Sequence, residues 1–185
     1  MDLVRHAIIY YPGGGGTKLR RRYYRRLMDG RLGRDPQIGI GTFIDPDVNL
    51  RIGDSFVTGP NVHIIPGECL GILIGNNVSI AHGSFIRSSN HSYFDLKRPI
   101  QEQGHFTKRV VADDGRQASI IIEDDVLISA YCVILAGARI GNGSVIAAGS
   151  VLASEIPPYS IVVGNPARVV ANRTKRMFDQ SVIKF

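Results

Sequence analysis

The chain of 185 residues is long enough for one domain with a real core. Its hydrophobic content of 44% excludes global disorder, and no apolar run approaches the roughly 20 residues that cross a bilayer. The net charge of +6 indicates an acidic partner, a role that nucleic acid, anionic lipid or a phosphorylated small molecule would satisfy. The first residues lack the basic and apolar regions of a signal peptide, so we expect a cytoplasmic protein.

An N-terminal segment, residues 1–35, is predicted to contain a basic amphipathic helix over residues 17–29. Thr17 can cap its start. One face is apolar and consists of Leu19, Tyr23 and Leu27. The other faces are basic and consist of Lys18, Arg20, Arg21, Arg22, Arg25 and Arg26. The four glycines at 13–16 lack the residue order of a phosphate loop, so we expect a flexible hinge before the helix.

The basic helix has two open interpretations. It could cover the open end of the fold and leave its charges in solvent, or it could meet an anionic membrane or a phosphate-bearing substrate. We expect no contact with nucleic acid, because the sequence shows no base-reading module.

A repeat of six residues dominates the second half of the chain. Aliphatic residues recur at this spacing at Ile122, Ile128, Ile134, Ile140, Ile146 and Leu152. Smaller residues precede them by two positions at Val126, Cys132, Ala138, Ser144 and Ser150. A helix would repeat every three or four residues and a simple strand every two. The period predicts a coil of short strands joined by turns, with the aliphatic residues inward and Cys132 in the core.

The same period appears earlier in the chain with two interruptions. We assign its first inward series to Ile40, Pro46, Ile52, Thr58 and Ile64, preceded by Ile38, Ile44, Leu50, Phe56 and Val62. A second series, Ile74, Ile80 and Ile86, follows an insertion of about four residues near Cys69. Between Ile86 and Ile122 the pattern is absent, which predicts an extruded loop near residues 88–120. Long loops of this kind are usually functional.

Over residues 36–171 the sequence resembles the hexapeptide-repeat acyltransferases, in particular the maltose and galactoside acetyltransferases and their relatives in surface-polysaccharide biosynthesis. The resemblance rests on the hexads, on Asn90-His91 after a hexad, and on the tail from Ile156 to Arg168. It implies an all-β fold, a left-handed parallel β-helix, with acetyl-CoA as co-substrate and the site between subunits of a homotrimer. Residues 172–185 would form a basic C-terminal tail.

Acetyl transfer to an alcohol needs a base for the hydroxyl proton, and histidine suits that role because it titrates near neutrality. His91 stands where the resemblance places the catalytic histidine. Other residues near it in sequence, or able to line the same cleft, are candidates for binding the acceptor: His82, Asn90, Asp95 and His105. The residue that orients the imidazole stays open between Asp95, Asn90 and a main-chain carbonyl.

The resemblance also implies a CoA groove between coils of neighbouring subunits. By motif match its candidate residues are Ser129, Ala130, Ala147, Ala148, Pro166 and Arg168. Arg168 could bind a phosphate as a charge-assisted fork. Many relatives carry Thr-Lys-Asp where this chain has Ala153-Ser154-Glu155, so another basic residue, such as Arg173 or Lys175, must replace the usual lysine or the CoA contacts must differ.

The leading hypothesis is an O-acetyltransferase acting on a sugar, free or lipid-linked. N-acetylation of a nucleotide-linked amino sugar is an alternative, as is a non-catalytic β-helix that scaffolds a partner. A zinc enzyme on the same coil would need three converging histidines, and the spacings of His82, His91 and His105 do not support one. We therefore expect no metal.

Overall fold

The computed structural model describes residues 3–67 and 70–174, in which short parallel strands stack into three sheets around one core. Face A contains β2 (Leu50–Ile52), β5 (Ile72–Ile74), β12 (Ile120–Ile122), β15 (Arg139–Ile140) and β18 (Glu155–Ile156). Face B contains β3 (Val57–Thr58), β6 (Ser79–Ile80), β13 (Leu127–Ile128), β16 (Val145–Ile146), β19 (Ser160–Val163) and β20 (Arg168–Asn172). Face C contains β1 (Phe43–Ile44), β4 (His63–Ile65), β7 (Phe85–Arg87), β14 (Val133–Leu135) and β17 (Val151–Leu152).

The chain visits faces A, B and C in turn, so that each full coil stacks on the one before. Ile122 pairs with Ile74 on one side and Ile140 on the other, and all three side chains are buried. The smaller residues of the hexads, Cys132 among them, are also buried. The period of six and the core position of Cys132 are therefore confirmed. Apolar burial along this ladder is the main stabilising contribution to the coil.

The first coil follows a different phase from the predicted one. Leu32 forms a bridge with Ile52, and Ile44 pairs with Ile64, so the inward residues here are Leu32, Ile38 and Ile44. The assignment of Ile40 and Pro46 to the inward series is wrong, because both are only half-buried. Ile44 and Ile52 are eight positions apart, which leaves two extra residues in the intervening turn. The Asp47 carboxylate stabilises that turn by accepting a bond of 2.7 Å from the Asn49 N–H.

Two helices, α1 (Leu3–Tyr10) and α2 (Gly13–Met28), precede the coil. The predicted helix is present but begins four residues earlier, so the glycines at 13–16 are its first turn and not a hinge. Thr17 therefore lies inside the helix and does not cap it. The predicted apolar face is also wrong, since Leu19 and Leu27 are 39% and 40% exposed. The buried face consists of Gly16, Arg20, Tyr24 and Met28.

Arg20 is the unexpected member of that buried face, with only 2% of its surface exposed. Its guanidinium donates hydrogen bonds to the carbonyls of Tyr11 at 2.7 Å, Ile38 at 2.8 Å and Ile9 at 3.3 Å. Burial lowers the pKa of Arg20 from its usual value. Arg20 thus joins the end of α1, helix α2 and the first coil, which explains how a cation is accommodated there.

The extruded loop, residues 88–119, has structure of its own. It contains a hairpin of β8 (Asn90–His91) and β9 (His105–Phe106), with a short 3₁₀ turn at Ile100–Glu102 between them. A second hairpin, β10 (Val110–Val111) and β11 (Gln117–Ala118), follows. Val110 and Ala118 pack with Ile121 on the outside of face A. The returning end of the loop therefore packs against the coil from which the loop emerges.

At the other end of the coil the chain reverses direction. Strand β20 pairs antiparallel with β19, with an irregularity between Ile161 and Val162. Residues 175–185, which include Lys175 and most of the predicted basic tail, lie outside the described residues, as does Cys69. Within the described parts of the chain, no helix is both long and apolar enough to cross a membrane.

Candidate active site

His91 lies at the start of the extruded loop, where the chain leaves face C after β7. It faces His105 across the β8–β9 ladder, with the ring centroids 4.8 Å apart and the planes inclined by 30°. Both side chains are exposed. The structure therefore brings together two of the histidines singled out in the sequence. An exposed imidazole at the mouth of a loop can take a proton from a bound hydroxyl.

Hydrogen bonds at the base of the loop hold this hairpin on the coil. The Thr107 hydroxyl donates to the Ser88 carbonyl at 2.6 Å and lies 2.5 Å from the Ser119 hydroxyl. Ser88 is fully buried, and its hydroxyl donates in turn to the Pro66 carbonyl. These contacts tie the outgoing and returning ends of the loop together, so His91 stands on an anchored segment. Thr107 was not predicted, because a lone threonine in a loop has no distinctive sequence pattern.

Asp95 belongs to the loop's own structure. One carboxylate oxygen accepts from the Lys97 N–H and the other from the Arg98 guanidinium, each at 2.9 Å. Gln103 bonds both the N–H and the carbonyl of Asp95. Both oxygens of the carboxylate are thus engaged within the loop tip. Among the described contacts, the neighbour of the His91 ring is His105 and not Asp95.

The candidate CoA residues occupy a different place, the turn between faces B and C, which we call the B–C corner. In successive coils this corner comprises residues 81–83, 129–131 and 147–149, stacked in register. The Ala130 carbonyl accepts from the Gly149 N–H at 2.9 Å, and the Ser129 carbonyl accepts from the Ser84 hydroxyl at 3.0 Å. Ala147 is half-buried and Ala148 is exposed. The small side chains leave the backbone accessible along this corner.

His82 lies in this same B–C corner and not beside His91. Its ring makes an edge contact with Tyr131, at 4.9 Å between centroids and 84° between planes. Tyr131 is 64% exposed and takes a left-handed backbone conformation with φ of 57°. Tyr131 was not predicted, although an aromatic residue at the turn of a hexad is visible in the sequence. The pair adds an aromatic wall to the corner.

Within one chain, His91 and the B–C corner are separated by the length of face C. Residues 81–83 come before β7, and residues 88–91 come after it. At about 3.3 Å of rise per strand residue, the two ends are more than 10 Å apart. One subunit therefore does not bring His91 to the candidate CoA residues. Pro166 and Arg168 are exposed one coil further along, where the Arg168 guanidinium donates to the Ala167 carbonyl at 2.8 Å.

A separate cavity of about 310 Å³ lies on face A beneath the second loop hairpin. Its lining combines aliphatic side chains with the charged residues Arg51, Asp114, Arg116 and Asp124. Hydrogen bonds from the Arg116 N–H and guanidinium hold the pKa of Asp114 below its usual value. None of the predicted site residues lines this cavity. Among the described residues, no three His, Cys, Asp or Glu side chains are arranged to hold a metal ion.

This chain is similar to proteins of known family and known structure. Residues 119–154 match the family model described as bacterial transferase hexapeptide (six repeats). A hexapeptide-repeat acetyltransferase from Vibrio cholerae O1 biovar eltor, solved with acetyl coenzyme A, is 30% identical to this chain. Its structure aligns with a TM-score of 0.73 over 91% of this chain and 84% of its own. The chain belongs to the hexapeptide-repeat acetyltransferases. The predicted left-handed parallel β-helix is thereby confirmed.

Other acetyltransferases are similar over shorter stretches or by fold alone. A 2,3,4,5-tetrahydropyridine-2,6-dicarboxylate N-acetyltransferase from Clostridium perfringens is 42% identical over 73 residues, which are 40% of this chain. The matched region spans 31% of that relative's length. A maltose O-acetyltransferase from Clostridium difficile 630 aligns with a TM-score of 0.69 at 24% identity, over 90% of this chain and 81% of its own.

Proposed function

We propose that this protein transfers an acetyl group from acetyl-CoA to a sugar hydroxyl. The observation that carries the proposal is the alignment, at 30% identity over 91% of the chain, with an acetyltransferase solved with acetyl coenzyme A. The exposed His91 at the entry of the loop supports it, because it supplies a base beside a solvent-open space. We assign the acceptor to surface-polysaccharide synthesis in the cytoplasm, following the resemblance of the hexads and tail.

His91 is the general base in this proposal. The acceptor hydroxyl oxygen attacks the thioester carbonyl carbon while the His91 imidazole takes its proton. The tetrahedral intermediate then collapses, the carbon–sulfur bond breaks, and the same proton passes to the CoA sulfur. The products are an acetyl ester and free CoA thiol. Asn90, Asp95 and His105 are the loop residues proposed to bind the acceptor, and of these it is His105 whose ring contacts His91.

The active unit in this proposal is a homotrimer. His91 and the B–C corner stand at opposite ends of face C, so a second copy packed against face C would supply the corner that faces the first copy's His91. The outward row of face C is largely apolar and consists of Phe43, His63, Phe85, Val133 and Val151. Such a row suits a subunit interface, and closed rotational symmetry is the usual arrangement.

Acetyl-CoA occupies the B–C corner in this proposal. Ser129, Ala130, Ala147 and Ala148 present little more than backbone there, so the pantetheine arm can lie close to the chain. His82, stacked in the same corner, belongs to this part of the site. The exposed Arg168, close to Pro166, binds a phosphate of the nucleotide end. Arg173 is a second candidate for the role of the lysine that Ser154 replaces.

N-acetylation is the second candidate function, favoured by one observation. The stretch of 73 residues that is 42% identical to the Clostridium perfringens protein comes from an N-acetyltransferase. An amine acceptor would use the same base and release the same thiol. The two reactions differ in their products, since an ester is cleaved by mild alkali and an amide is not.

Release of free CoA thiol on mixing the protein with acetyl-CoA and a panel of sugars and amino sugars tests the proposal. We expect thiol release that depends on an acceptor and a product mass raised by one acetyl group. His91→Ala should remove the activity, whereas His6→Ala, a matched change in the exposed histidine of α1, should retain it. No thiol release and no acetyl-CoA binding would favour a scaffold.

We also propose that the protein lies at the surface of an anionic membrane, on the basis of the positive charge of its N-terminal helices.

A further inference from the structure

The two N-terminal helices carry positive charge without any negative charge. From Leu3 to Met28 the chain contains no Asp or Glu. Arg20 is buried in contacts with backbone carbonyls, and Arg21 lies 3.9 Å from Asp35 of the following segment. The remaining basic side chains of α2 are exposed and consist of Lys18, Arg22, Arg25 and Arg26. This charge does not contribute to the proposed catalytic chemistry.

These four residues lie on one side of α2. Because successive helical residues advance by about 100°, they fall within an arc of about 100°. The buried residues Arg20 and Tyr24 occupy the opposite side, against the coil. Helix α2 therefore presents its basic arc away from the core, and the contacts of Arg20 fix that orientation.

Exposed apolar side chains lie on the same two helices as the basic arc. On α1 and the residue after it they include Leu3, Tyr10 and Tyr11, which are 85%, 49% and 56% exposed. On α2, Leu19 is 39% exposed and lies next to the arc. We call the basic arc and these four residues together the cap surface. Basic residues beside aliphatic and tyrosine side chains are typical of helices that lie in a membrane interface.

We infer that the cap surface binds the anionic surface of a lipid bilayer. The arginines and lysine pair with lipid phosphates, while the tyrosines and leucines enter the headgroup layer. Nucleic acid fits less well, because it offers no apolar layer for these side chains. Docking in this way would hold the protein where a lipid-linked sugar is presented, which extends the proposed function without depending on it.

Sedimentation of the full-length protein with vesicles tests the inference. We expect binding to vesicles of phosphatidylglycerol mixed with phosphatidylcholine, and much weaker binding to phosphatidylcholine alone. Arg22→Glu with Arg25→Glu should weaken binding by about tenfold or more, because each basic residue near an anionic surface contributes measurably. Raised salt should weaken it as well. Tyr11→Ser with Leu3→Ser should reduce the binding that remains at high salt.

The matched control is Arg51→Glu with Arg109→Glu, which changes the net charge equally at two exposed arginines outside the helices. This variant should bind vesicles like the unchanged protein. Thermal melting of each variant shows whether it is folded. Equal loss in the control, equal binding to neutral vesicles, or tight binding to duplex DNA with none to vesicles would overturn the inference. A change of oligomer size in Arg22→Glu/Arg25→Glu would instead identify the cap surface as a contact between copies.

Discussion

The rings of His91 and His105 lie 4.8 Å apart on two paired strands of the extruded loop. An acceptor that reaches the exposed imidazole of His91 therefore passes beside His105. The two residues are 14 positions apart in sequence, and the hairpin brings them together. In the proposed mechanism His91 is the base and His105 is its neighbour, so substitutions at the two sites should have different effects.

For His91→Ala we expect kcat for acetyl transfer to fall by about 10²–10⁴-fold, the usual contribution of general-base catalysis. Steady-state kinetics with acetyl-CoA and an accepted sugar provide the measurement. Binding of acetyl-CoA, followed by calorimetry, should be retained because His91 is not in the B–C corner. Unchanged turnover would remove His91 from the mechanism.

For His105→Ala we expect mainly a higher KM for the acceptor, with kcat reduced less than in His91→Ala. In the proposed mechanism His105 borders the path of the acceptor to His91 but does not take the proton. His105→Gln, which retains a polar side chain, should recover part of the loss. A kcat as low as that of His91→Ala, with KM unaltered, would mean that the two rings act as one catalytic unit.

Gly83→Ala should destabilise the coil. Gly83 has φ of 69°, and a Cβ there would lie 2.4 Å from the Tyr131 ring. Gly104 provides a matched control, because its φ of 72° is similar but a Cβ would meet nothing within 4 Å. We expect a loss of about 1–3 kcal/mol from the backbone conformation in both, and a further loss in Gly83→Ala. Thermal melting measures the difference, and adding Tyr131→Ala to Gly83→Ala should remove it.

Arg20→Met should lower the stability of the N-terminal helices. The change retains an apolar stem but removes the donor from the carbonyls of Tyr11 and Ile38, at a cost of about 3 kcal/mol. The Ile9 carbonyl would still accept from the Gly41 N–H. The exposed Arg26→Met should change stability by less than about 0.5 kcal/mol. Limited proteolysis and melting followed by circular dichroism give the comparison. Equal melting of the two variants would contradict the structural role of Arg20.

Cys132 should resist alkylation in the folded protein. Burial raises the pKa of its thiol, so the reactive thiolate forms only at more alkaline pH than in an exposed cysteine. In a Cys69→Ser background, mass spectrometry after treatment with iodoacetamide near pH 8 should show little adduct. Denaturant should make the same residue react fully. Rapid labelling without denaturant would contradict its place in the core.

The coil itself was predictable because its inward residues repeat. Ile122 to Leu152 keep one spacing, and each is buried as expected. The first coil was assigned to the wrong phase because Ile44 and Ile52 are separated by eight residues, a spacing that a strict period of six cannot represent. The buried face of α2 was missed for a different reason. Arg20 is a charged residue type and Gly16 a flexible one, so neither was assigned to a buried face. The burial of Arg20 is favourable only because backbone carbonyls surround its guanidinium.

The candidate site was predictable in parts but not as an arrangement. His91 and His105 were identified individually from their place in the loop, and the structure pairs them. His82 was a candidate to line the same cleft, and within one chain it lies in the B–C corner beside Tyr131. Sequence spacing within a coil does not reveal which end of a face a turn occupies. The spacing therefore could not separate His82, in the B–C corner, from the pair of His91 and His105.

The antiparallel strand β20 has a consequence for the size of the molecule. A parallel coil has no intrinsic last turn, since each strand offers unpaired groups to another copy of itself. Here β20 covers the edge of β19 on face B, while the buried face of α2 packs against the first coil at the opposite end. Ile122 and Ile140, one coil apart, are separated by 18 residues. Because β20 and α2 lie on different coils and do not depend on each other, an 18-residue coil could be added or removed between them, and the number of coils is free to vary.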